Sequence, residues 1–190
     1  SSRHVWATFM VGAGQLGTML IFVGAWGIPY LMQTYGLPRH TSADFMSLIL
    51  ISHAAGIMII PFISDRIASR KLPIMVCAFC YLAIFLVLVF WNGGKPPLAA
   101  MYPIFILMGA FTGATTLAYV VAKENLPSSK SGIVLGVVNM SAFITAAIFQ
   151  VLVGVVLDAN WQGDTIGGAR VYPLFAYQYS FFLILIPVAA

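Results

Sequence analysis

Long apolar runs separated by short polar stretches dominate the chain. A helix needs roughly 20 apolar residues to span the hydrocarbon core of a bilayer. By that measure about six transmembrane helices are predicted, near Val5–Tyr35, Phe45–Ser64, Leu72–Trp91, Leu98–Ala122, Gly132–Leu157 and Leu174–Ala190. The first run is long enough to tilt or bend, and Pro29 is where a kink is expected. Gly36-Leu37-Pro38-Arg39 closes it. Thr41 or Ser42 is expected to cap the second helix, with Asp44 near its positive end. The third run reads as apolar on every face. Asn92-Gly93-Gly94-Lys95-Pro96-Pro97 is a strong turn signal. A polar loop, Asp158 to Arg170, carries Trp161 and the Gly167-Gly168 pair. The last run is marginal in length and interrupted by Gln178 and Ser180, so its helix is expected to be truncated. The runs do not alternate in polarity as barrel strands would, and backbone in lipid must satisfy its own hydrogen bonds, so helices follow.

Composition supports this pattern. Hydrophobic residues make up 61% of the 190 and charged residues 7%, against about 25% charged in a soluble domain. The net charge of +4 comes from residues in loops. It therefore bears on orientation rather than on nucleic acid. Arg3, Arg66, Arg70, Lys71, Lys123 and Lys130 fall on one side; Arg39, Lys95 and Arg170 fall on the other. The positive-inside bias predicts that the first side, with both termini, is cytoplasmic, and a bacterial inner (plasma) membrane is the expected location. Trp91 and Trp161 lie near the other interface, as aromatic belts do. Cys77 and Cys80 have CxxC spacing inside an apolar run without further ligands nearby, so they are read as packing residues. No metal or cofactor is expected. There is no GxSxG or HExxH pattern, and no buried carboxylate to orient a histidine, which argues against an intramembrane enzyme. Charge rings or filter carbonyls, which a channel would need, are also missing from the pattern.

The runs group as three plus three, at residues 1–96 and 97–190. Triplets of this kind are inverted relative to each other in many transporters. The loop after the second run reads Pro61-Phe62-Ile63-Ser64-Asp65-Arg66-Ile67-Ala68-Ser69-Arg70-Lys71. It resembles the G-x-x-x-D-R-x-G-R-R-K signature of the major facilitator superfamily: Asp65, Arg66, Arg70 and Lys71 fit, whereas Pro61 and Ala68 replace glycines and Ser69 a basic residue. Glu124-Asn125-Leu126-Pro127-Ser128-Ser129-Lys130-Ser131-Gly132 resembles the family's E-x-x-P-x-x-x-R-G pattern between the fourth and fifth helices of a half. The resemblance covers essentially the whole chain, and the looseness of the first signature points to the C-terminal half, spans seven to twelve.

That resemblance implies an all-α integral membrane fold, a six-helix bundle of two inverted three-helix repeats. It implies a secondary transporter of a small organic solute working by alternating access, with protons a candidate coupling ion. Drug or metabolite efflux is the alternative within the family. The implied partner is the N-terminal six-helix half. A half-sized transporter that pairs with itself is the other arrangement, and self-association through the first, second, fourth and fifth helices is expected of the chain alone. Asp65, Arg66, Arg70, Glu124 and Lys130 are the expected cytoplasmic gate. Charge-assisted bonds between the loops would close that face and break when it opens; simple orientation by positive charge is the other reading.

Polar residues inside the runs are the candidates for the solute path. Gln15, Thr18, Phe22, Trp26, Tyr30 and Gln33 recur at helical spacing and read as one stripe. Thr112, Thr115, Thr116 and Tyr119 form a second, and Asn139, Phe143, Ala146 and Gln150 a third. Buried polar groups are costly in hydrocarbon and should face a cavity or another helix. Each threonine can instead bond back to its own helix, and Trp26, Tyr30 and Tyr119 either flank a solute or anchor near an interface. His53, midway along the second run, has three readings: proton coupling, a substrate or gating contact, and a structural hydrogen bond. The pairs Gly109/Gly113 and Gly132/Gly136 have the spacing that lets helices approach closely.

Overall fold

The computed structural model of the chain describes residues 2–124 and 128–189; the side chains at 2–5, 7, 122, 128–131, 133 and 134 lie outside what is described. The result is an all-α membrane bundle. Helix α1 covers residues 2–35, α2 Arg39–Arg66 and α3 Lys71–Phe90. Helix α4 is built from Leu98–Thr112 and Thr115–Glu124, α5 is Ser128–Ala159, and α6 is Leu174–Ala189. A small hairpin between α5 and α6 pairs β1 (Thr165–Ile166) with β2 (Ala169–Arg170). Among the described residues, five helices are long and apolar enough to cross a bilayer, while α6 is a shorter apolar helix.

Several boundaries differ from the expectation, each for a local reason. Helix α2 begins at Arg39 rather than Phe45. Pro38, with φ −65°, sets the first turn, and the Ser42 amide bonds its carbonyl at 3.0 Å. Thr41 and Ser42 therefore lie inside the helix and do not cap it; the Ser42 hydroxyl also donates to Pro38 O. The irregularity of α1 lies upstream of Pro29, in two π-helical stretches at Gly12–Gly17 and Phe22–Trp26. Helix α4 is broken at Gly113 and Ala114, where short i→i−3 bonds replace the α-helical pattern. Gly36 ends α1 in the left-handed region at φ 66°, which glycine adopts without steric cost.

Tight packing of α4 on α2 and of α1 on α5 and α6 positions everything else. The core is an aromatic cluster: Phe22, Tyr30, Phe105, Tyr177 and Phe181 are all fully buried. Tyr30 and Phe181 stack edge-to-face with centroids 4.9 Å apart. The reading of α3 as apolar on every face needs correction. Tyr81 is buried, and its hydroxyl lies 2.9 Å from Thr18 Oγ1 and donates to Gln15 O at 3.2 Å, tying α3 to α1.

Candidate functional site

Two clusters of polar side chains define the ends of the bundle. At one end the loop after α2 turns on Ala68, whose φ of 51° is a left-handed conformation that favours glycine. This is the position where alanine stands for a glycine of the signature that the loop resembles. The turn is closed by Ser69 N donating to Ser64 O and by Ser64 Oγ donating to Ser69 O at 2.9 Å. Arg70 is thereby aimed back along the helix end. It pairs with Asp65, and its Nη2 reaches Glu124 Oε1, at the end of α4, at 3.1 Å. The Asp65 and Glu124 carboxylates hold the Arg70 guanidinium even more firmly protonated than usual. Arg66 stands apart from this network, its guanidinium 4.7 Å above the Phe62 ring. The Lys130 side chain lies outside the described residues. A non-glycine residue in the left-handed region costs about 1 kcal/mol or slightly more. Ala68→Gly is therefore expected to raise the melting temperature, read in detergent by intrinsic fluorescence.

At the other end, Gln33 acts as a clamp. Its Nε2 donates to Arg170 O at 3.0 Å, and its Oε1 accepts from the Tyr172 amide at 2.9 Å and the Tyr177 hydroxyl at 2.8 Å. Arg170 pairs with Asp158 at 2.7 Å and lies over Trp161, and Tyr172 OH donates to Asp158 at 2.7 Å. Gly167 and Gly168, both at positive φ, make the hairpin turn that brings Arg170 back. The clamp fixes the hairpin and α6 onto α1. Gln33→Ala removes three bonds of roughly 0.5–1.5 kcal/mol each. Faster proteolysis within 158–172 is expected, read by limited digestion and mass spectrometry.

Between the ends, the stripe expected on α1 does not form one open face. Tyr30 is fully buried and donates to Gly94 O at 2.6 Å. Tyr30 and Gln33 thus both make contacts within the bundle, Tyr30 in the buried core and Gln33 half-buried at the hairpin. Thr18 bonds Gln15 O and Gly14 O of its own helix and meets Tyr81. Trp26 Nε1 donates to Gln150 O at 3.0 Å while Gln150 Nε2 donates to Leu20 O at 3.1 Å, a reciprocal α1–α5 link. Gln15 differs from the rest. It is 4% exposed, yet neither atom of its carboxamide has a hydrogen-bond partner among the described residues. A buried polar group left so costs about 1–3 kcal/mol. Gln15→Met is therefore expected to raise the melting temperature.

His53 Nδ1 and Thr112 Oγ1 lie 2.8 Å apart, joining α2 to α4. Thr112 also donates to Gly109 O at 2.6 Å and approaches Met19 Sδ; Thr115 bonds Thr112 O. Thr116 is half-buried. Tyr119 OH donates to Asn139 Oδ1 at 3.1 Å on an exposed face that also carries Phe143. The third stripe divides in the same way, since Ala146 is buried and Phe143 is 61% exposed. Gly109 and Gly113 press directly on α2, Gly113 against Gly56, a contact the spacing reading did not include. Among the described residues, a Cβ at Gly132 or Gly136 would meet nothing within 4 Å. Among the described residues no cluster of His, Cys, Asp and Glu is arranged to hold a metal ion.

Fold and site together define an integral α-helical membrane protein. The chain is similar to a gentisate transporter of Corynebacterium glutamicum, 26% identical over 161 residues, which are 83% of this chain and 35% of that protein. It thus spans about a third of the transporter's length. No family model matches the chain, and no solved structure matches it.

Proposed function

We propose that this chain is the C-terminal half of a secondary transporter of the major facilitator type, moving a small organic solute by alternating access. One observation carries the reading: Arg70 joins Asp65 to Glu124, 54 residues further along the chain. Glu124, the first residue of one signature-like stretch, therefore meets the other at one end of the bundle. A network that is exposed, charged and shared between two helix ends suits a latch that closes and reopens. The likeness to a gentisate transporter supports the same reading.

In this proposal residues 1–96 and 97–190 are the two inverted repeats. The ion network is cytoplasmic, both termini are inside, and the membrane is a bacterial inner membrane. The face bearing Tyr119, Asn139 and Phe143 meets the N-terminal bundle across the solute path. Gln15 is the carboxamide that takes up a hydrogen bond from solute when α1 rearranges around its π-helical stretches, segments often found at functional positions. Its uncompensated burial in the present conformation is the stored cost.

Gentisate, an aromatic carboxylate, is the first solute to try. Radiolabelled gentisate should enter proteoliposomes of the complete transporter saturably, and Gln15→Met should lower that uptake while raising thermal stability. Uptake no faster than in empty liposomes removes gentisate as the solute. A Gln15→Met variant that is both more stable and fully active removes Gln15 from the path.

A further inference from the structure

We propose that the groove between α2 and α3 binds an anionic phospholipid of the surrounding bilayer, one acyl chain lying in the groove and the headgroup held by Arg66 and Lys71. This inference requires only that the bundle sit in a membrane, and it stands or falls independently of what the protein carries.

Helix α4 packs on both α2 and α3, whereas α2 and α3 touch each other little. The gap between them is a concavity of about 560 Å³ floored by α4. Ala55, Ile59 and Ile63 line one wall, Leu72 and Val76 the other, and Ala110 the floor. The lining is hydrocarbon apart from Ser52 and Cys77, which are both buried. Its size falls within the roughly 300–1,000 Å³ of ordinary small-molecule pockets, but its lining offers a solute no charged side chain and no exposed polar one. An unbranched hydrocarbon chain suits such a surface, and the lining residues lie along three membrane-crossing helices.

Charge at one end selects the headgroup. The lining reaches Ile67 and Leu72, which directly adjoin Arg66 and Lys71. Both basic residues are exposed. The nearby carboxylates, Asp65 and Glu124, are engaged by Arg70. Arg66 rests on an aromatic face, which leaves its charge intact. Arg66 and Lys71 are thus the basic side chains of this loop that no carboxylate pairs among the described residues. Each basic side chain near an anionic membrane surface strengthens attachment roughly fivefold. With partial screening, about a tenfold preference for an anionic over a zwitterionic lipid is expected of the pair.

The test is native mass spectrometry of the purified protein equilibrated with equal amounts of palmitoyl-oleoyl phosphatidylglycerol and palmitoyl-oleoyl phosphatidylcholine. The wild type should retain phosphatidylglycerol in about tenfold excess. Arg66→Gln with Lys71→Gln should bring the two lipids to parity. Ala55→Trp and, on the opposite wall, Val76→Trp should each reduce retention of both lipids. Ala55 and Val76 are both exposed, so either variant should fold, which its melting temperature without added lipid verifies. Parity in the wild type, or no lipid adduct at all, overturns the proposal. Selectivity that follows the charges but ignores both tryptophans places the lipid on the loop alone and overturns the groove assignment.

Discussion

Gly109→Val should largely abolish the folded bundle, while Gly136→Val should leave its stability unchanged. A Cβ at Gly109 would lie 2.2 Å from Ile49 O, and one at Gly56 would lie 2.2 Å from Ala110 O. At Gly113 the nearest atom would be the Gly56 carbonyl carbon, at 2.3 Å. These neighbours are backbone, so no rotamer change relieves the overlap; α2 and α4 must move apart. Membrane helices associate largely through close packing at small residues. Separation of α2 and α4 would also stretch the His53–Thr112 contact. Overpacking typically costs about 1–3 kcal/mol and sometimes more, and a backbone-to-backbone contact belongs at the upper end. The measurement is the fraction of monodisperse protein on size exclusion together with its melting temperature. Gly136 is the control, because nothing among the described residues lies within 4 Å of its would-be Cβ. Equal stability of the two variants would mean that the α2–α4 contact is not what holds the bundle.

Arg70→Glu should separate function from stability in the opposite way. The pairs it makes are exposed, and exposed ion pairs contribute little to stability because water and salt screen them. Melting should therefore shift only slightly. In the proposed carrier, transport by the complete protein should fall by about tenfold, within the range seen when one site biases a conformational equilibrium at another. The substitution places a third carboxylate beside Asp65 and Glu124 and holds the loops apart. Swapping the charges, Asp65→Arg with Arg70→Asp, restores one pair and should recover part of the rate. A variant that transports like the wild type would reduce the network to an orientation signal.

The helices were legible in the sequence because a spanning helix leaves the strongest of all patterns, a long apolar run. Their ends were less so. Arg39 is polar and closes the Gly36-Leu37-Pro38-Arg39 turn signal, yet Pro38 starts the helix before it. Asp65, Arg70 and Glu124 were legible as charges at one end of the bundle, because hydrocarbon excludes charge from the spans; only the fold shows that they pair. The stripe on α1 misled because its spacing assumes a constant 3.6 residues per turn. Each π-helical stretch adds roughly one residue to a turn, so positions beyond Gly17 and again beyond Trp26 rotate away from Gln15. Tyr30 consequently points into the aromatic core and Gln33 at the hairpin. Tyr81 went unnoticed because an apolar run hides a tyrosine whose polar atom lies beyond its ring. Gly56, the lone glycine of α2, shares a spacing of four with Ser52 rather than with a second glycine; only the fold brings it against Gly113.

The central claim, that the chain is half of an alternating-access carrier, is tested most directly by counterflow. Proteoliposomes of the complete transporter are loaded with unlabelled gentisate and diluted into a trace of labelled gentisate. A carrier exposes its site to one side at a time, so labelled solute should accumulate transiently above its equilibrium level and then decline. Uptake that proceeds without such an overshoot, merely relaxing to equilibrium, would contradict alternating access and describe a channel.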